Sequence, residues 1–261
     1  MQKTSELYQE LFASNHKMET RLAIGETGVL ITKQGDAITF GGVSILTGST
    51  GADGGYDETL LVSMETETRV FSQDSPEVGG CVVGQIDIEM HKPFGEIPER
   101  ARLVPYVRLT DINRTKFSEW IQKGVYYIDT REKKDDGSSI EKIVIQGYDD
   151  LRKAEQDYPA STLNWPATDI DVVREIAAFL GVAIDARTVP IINRGYTIQY
   201  PAGYSCRDTL GYIAAMYAGS FVMSDMGELR LITIHGIPRE TRYLIEPSGF
   251  AITFGGDRIL V

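Results

Sequence analysis

The chain has 261 residues, with 42% hydrophobic and 24% charged positions, an ordinary globular composition that excludes disorder and fibrous repeats. Its 26 basic residues stand against 37 acidic ones, a formal net charge of −11, which disfavours general binding to phosphate backbones or anionic membranes. Two cysteines, Cys81 and Cys206, lie far apart without CxxC or Cys/His spacing, so neither a disulfide framework nor a zinc site is indicated.

No apolar h-region follows Met1, so the sequence reads without a secretory leader. The longest apolar stretch, Ile176 to Ile184, falls far short of the roughly 18–20 residues of a bilayer span. The expectation is a soluble, acidic protein kept in reducing, cytoplasm-like conditions.

The first predicted element is a short amphipathic helix over Ser5 to Ser14, with Leu7, Leu11, Tyr8 and Phe12 as its apolar stripe. A helix this short is marginal alone and must dock, on its own domain or on a partner. From Met18 to about Tyr158 the signal is β. The clearest strand runs from Cys81 to His91, where Val82, Ile86, Ile88 and Met90 alternate with polar residues. Leu103, Val107 and Leu109 predict another. Trp120 to Ile128 reads as a hairpin turning at Lys123-Gly124, and a second hairpin turns at Asp135 to Ser138 with its return strand from Ile140.

The composition changes after Tyr158. No lysine lies beyond Lys153, and residues 159–261 carry eight arginines against ten acids. Thr168 with Asp171 and Ser205 with Asp208 cap two predicted helices, closed by Gly181 and Gly219. A hairpin follows, with its turn at Asp225-Met226-Gly227. The predicted fold class is α+β: an antiparallel β-barrel-like domain followed by a small α+β domain. Its expected divisions are an N-terminal helix at 1–17, the barrel-like domain at 18–158 and the α+β domain at 159–238. Residues 239–261 start a second barrel or return strands to the first. An internal echo bears on that last choice, because Ala37-Ile38-Thr39-Phe40-Gly41-Gly42 recurs letter for letter as Ala251 to Gly256. It marks either a second domain built like the first or a strand-and-turn cassette reused within one sheet.

Catalytic devices are missing from the sequence. There is no GxxxxGK[ST] loop, no GxGxxG opening a helix, no GxSxG elbow and no HExxH. His16, His91 and His235 lie apart and read as surface or partly packed residues. Cys206 begins a predicted helix, where the dipole lowers a thiol pKa, yet no histidine is near and a small buried residue is the better reading. The loop Gly51 to Glu58 offers Asp53, Asp57 and Glu58, too few alternating acids for a calcium loop. The reading is of a protein without catalytic, cofactor-binding or metal-ligating residues. Trp120, Trp165 and Tyr204 are the candidate interface anchors, since large aromatic residues dominate contact surfaces; burial in the barrel or at the domain junction is the competing and favoured reading of all three.

The run Trp120-Ile121-Gln122-Lys123-Gly124-Val125-Tyr126-Tyr127-Ile128-Asp129-Thr130, the phrase Ile145-Gln146-Gly147-Tyr148-Asp149 and the block Tyr204 to Ala214 resemble the tail hub family of bacteriophages and prophages. The resemblance extends over most of residues 60–235. These hubs are also described as the N-terminal part of tail-associated lysins.

The resemblance implies a structural ring, trimeric, with two barrel-like domains per chain around the central channel between a hexameric tail ring and the tip. It implies DNA only as passing cargo, assembly in the host cytoplasm and residence in the virion. A family member needs a second barrel after about Glu240; the chain's last residue, Val261, leaves a fragment or a single barrel as the two readings. Two other functions stay open: the scaffold of a cell-wall hydrolase, and a module binding surface carbohydrate.

Overall fold

The computed structural model describes residues 4–25, 55–71, 78–92, 97–134, 141–192 and 194–234, with the backbone pairs 28–29, 39–40, 43–44, 46–47, 253–254 and 257–258. Its larger sheet has seven strands: β1 His16–Ile24, β2 Leu61–Glu67, β3 Gln85–His91, β4 Arg102–Asp111, β5 Ile121–Gln122, β6 Tyr126–Lys134 and β7 Lys142–Tyr148. Every pairing is antiparallel, in the order β1-β4-β6-β7-β3-β2, with β5 also on β4. The period-2 pattern of β3 explains its place. Ile86, Ile88 and Met90 are fully buried against Leu22, Leu103, Ile143 and Ile145, while Gln85, Asp87 and Glu89 face outward. Each such side chain contributes roughly 1.5–3 kcal/mol of burial.

The hairpin expected at Lys123-Gly124 is a β-bulge instead. Ile121 opposes Val107 and Tyr126 opposes Leu103, so β5 and β6 lie end to end on one edge of β4, with one extra residue between them. Gly124 takes φ +135°, and a Cβ there would fall on the Tyr126 ring. A Lys-Gly pair suits a turn and a bulge equally well, because both demand a residue free to adopt positive φ. The second expected hairpin is present as β6 and β7, paired from Tyr127–Tyr148 to Lys134–Lys142; its turn lies outside the described residues.

Among the described residues the sheet does not close into a continuous barrel ladder. One bridge, Leu22 with Tyr56, links β1 to the residues that lead into β2, through two hydrogen bonds of 2.8 and 2.7 Å. Gly28–Val29 pairs with Leu46–Thr47, and Thr39–Phe40 with Val43–Ser44, both nested inside that bridge. The chain therefore leaves β1, doubles back and returns at Tyr56. The echoed cassette has the same register in both copies: Phe40 opposes Val43, and Phe254 opposes Asp257.

Helix α1, Glu6–Phe12, is capped by Ser5, whose hydroxyl accepts from the Tyr8 amide at 3.1 Å. It docks at home: Ser5 N–H donates to Glu119 at 2.7 Å, Lys116 pairs with Glu10, and Leu11 is buried.

The α+β module carries α2 Asp169–Leu180, α3 Cys206–Met216 and the hairpin β8 Gly219–Met223 with β9 Leu229–Thr233. Thr168 caps α2 and Gly181 ends it at φ +76°; Ser205 and Asp208 form a complete capping box on α3. The end of α3 departs from expectation. Ala218, not Gly219, takes the left-handed conformation at φ +50°. Gly219 already belongs to β8, where the Ile232 carbonyl leaves no room for a Cβ.

Sheet and module are joined along a seam. Gly80–Cys81 pairs in parallel with Ser220–Phe221, so chain from between β2 and β3 completes the module's sheet. Cys81, Leu151, Ala154 and Tyr158 sit in the same core as Val173, Ile176, Leu210 and Phe221. Gly79 and Gly211 let α3 lie against this segment, since a Cβ on Gly211 would come 2.7 Å from the Gly79 carbonyl oxygen. The Gly219→Ala variant should lose about 1–3 kcal/mol in urea unfolding with an unchanged m-value, because its Cβ overpacks against β9 backbone that the ladder fixes.

Candidate interaction surface

Among the described residues no group of three His, Cys, Asp or Glu side chains is placed to hold a metal ion. His16 is exposed and stacks on Phe12, His91 lies half-buried on β3, and His235 falls outside the described residues. Of the candidate calcium loop, Asp57 caps its own turn, accepting from Thr59 N–H at 2.9 Å and from its hydroxyl at 2.6 Å; residues 51–54 lie outside the described set.

Cys206 is the first residue of α3, yet it is fully buried, and burial pushes its thiol up to about 11. Burial pushes Cys81 up to about 12. Desolvation of the thiolate outweighs the helix dipole, so neither sulfur is a nucleophile at neutral pH.

The seam holds the most perturbed acid. Burial pushes the Asp149 carboxyl up to about 7, and the neighbouring Asp150 charge adds to the rise. The Gly84 N–H at 2.7 Å, the Leu151 N–H at 3.0 Å and the Arg207 charge pull in the opposite direction. The carboxyl ties the start of β3 to the 3-10 turn Asp150–Glu155. Arg207 of α3 spans the same joint, donating to the Cys81 carbonyl at 3.0 and 3.1 Å and to Glu155.

The three predicted anchors divide between two surfaces. Trp120 stands on the outer face of β1 and β4 within a stack of alternating cations and rings. The Arg21 guanidinium lies 4.3 Å from its centroid and that of Arg108 4.4 Å, and Arg108 also covers Phe117 at 4.5 Å. Glu19, 8% exposed, clamps the stack through Arg108 at 2.7 Å and Arg114 at 3.2 Å; Arg114 reaches on to Glu58 at 3.1 Å. Pairing with the buried Glu19 carboxylate holds the Arg108 guanidinium in fixed orientation.

Trp165 and Tyr204 lie on the module, joined to Trp120 by no ring contact. Trp165 is half-buried and meets Tyr158 and Tyr200 edge to face, at 6.1 and 5.3 Å. Tyr158 is anchored in turn by its hydroxyl on Glu175, at 2.5 Å. Tyr204, 47% exposed, meets Tyr212, 62% exposed, at 5.6 Å. With Tyr200 and Met216 also partly exposed, this makes a tyrosine-rich surface of stiff, amphipathic side chains, the composition that contact surfaces favour.

Sequence reasoning missed Arg21, Arg108 and Phe117 because their union depends on strand register. Glu19 opposes Arg108 and Arg21 opposes Tyr106 across nearly ninety residues. Tyr212 carried a signal: its position on α3 opposes Leu210, Ile213 and Ala214, all buried.

No protein-family model and no curated protein matches the chain. Among solved structures it is similar to the 43 kDa tail protein of prophage MuSo2 from Shewanella oneidensis, at 16% identity and a TM-score of 0.47. That match covers 82% of this chain and 54% of the other. The tail protein from Neisseria meningitidis MC58 matches at 12% identity and a TM-score of 0.43, over 84% of this chain and 51% of its own. A chain of the Francisella PdpA-VgrG complex matches at 10% identity and a TM-score of 0.41, over 82% and 31%. The first two neighbours are tail proteins, one of them from a prophage. This chain spans about half the length of each.

Two outcomes follow from the buried groups. Neither cysteine should react with a thiol reagent in the folded protein at pH 8, and both should react once it is unfolded, as counted by absorbance. The Asp149 carboxyl, raised in the folded state, stabilises the fold fully below pH about 4 and loses that contribution as pH rises to about 7. The melting temperature of the wild type should therefore fall relative to Asp149→Asn across pH 4–7 at constant ionic strength. A difference independent of pH would refute the assignment.

Proposed function

We propose that the chain is a non-enzymatic structural component of a phage or prophage tail, a hub that closes a trimeric ring around the central channel between the tail ring and the tip. The observation that carries this reading is where the tail-hub phrases fall. All three converge on the seam. From the run 120–130, the Gln122 side chain donates to the Asp225 carbonyl at 2.8 Å, and Val125 packs under Gly227. From 145–149, Asp149 ties β3 to the 3-10 turn. From 204–214, Arg207 holds the Cys81 carbonyl and Gly211 admits Gly79. The phrases that resemble hubs build the joint that fixes module to sheet in this chain, and a ring needs such a joint rigid.

In this reading the open edges of the large sheet, linked at Leu22 and Tyr56, curl into a barrel-like wall. Trp120, Trp165 and Tyr204 serve as contact anchors to neighbouring copies or to the hexameric tail ring. An acidic channel wall keeps the passing genome from adhering. The divisions at 18–158 and 159–238 become the wall and its bracket, with 239–261 leading into a second barrel or returning to the first.

Light scattering after size exclusion tests the ring directly. Three chains of 28.9 kDa give a particle of about 87 kDa, and images should show a closed ring. A mass of one chain at every concentration would overturn the proposal.

A further inference from the structure

We draw no further inference here: the strongest candidate, the outer edge of the terminal strand β1 beside the exposed Phe12 and Met18, is an unpartnered sheet edge, and nothing in the structure shows what covers it.

Discussion

The short segment from Gly79 to Gly84 is the constraint on which the remaining architecture depends. Its first half is a strand of the module, parallel to β8, and its second half enters β3 of the large sheet. A backbone shared between two sheets must satisfy its hydrogen bonds on both sides. Gly79 N–H and Val82 N–H go to Gly219 and Phe221 carbonyls, the Cys81 carbonyl takes Arg207, and Gly84 N–H takes Asp149. Small residues are needed at both approaches, Gly79 to α3 and Gly80 to Ser220. Sheet and module are consequently one mechanical unit, in which the buried Asp149 and the reach of Arg207 set the angle.

How far this was legible in the sequence differs from element to element. The helices announced themselves, because Thr168 with Asp171 and Ser205 with Asp208 are local signals that stand within four residues of what they cap. The alternation of Ile86, Ile88 and Met90 likewise revealed its strand, since a half-buried strand imprints its period on the chain. Lys123-Gly124 misled because a bulge and a hairpin draw on the same freedom at positive φ. Only the partner strand distinguishes them, and partner strands are not written locally. The seam was invisible for the same reason: Gly80 and Ser220 have no common pattern until they are side by side.

The candidate surface shows this division more sharply. Trp120, Trp165 and Tyr204 were identified by residue type alone, and the structure separates them into two places with different physics. Around Trp120 the energetics are those of fixed charge, with Glu19 shielded from water between two guanidiniums. Around Trp165 and Tyr204 they are those of edge-to-face rings, the first braced through Tyr158 by the carboxylate of Glu175 and the second set against Tyr212. Cys206 makes the complementary point. A helix N-terminus is legible in sequence and favours a thiolate, whereas full burial is a tertiary fact, and burial prevails.

The parallel pairing of Gly80 with Ser220 bears on how the chain acquires its shape during synthesis. These partners lie 140 residues apart, and the intervening chain contains all of β3 to β7. Closing so long a loop is entropically unfavourable until the intervening segment has itself become compact. On a ribosome, Gly80 and Cys81 emerge early and wait without a partner until β8 has been made. The module's three-stranded sheet cannot be complete before Thr233 leaves the exit tunnel, by which time the whole of the large sheet is already available to fold. The last strand home is therefore the one that locks the first half of the protein to the second.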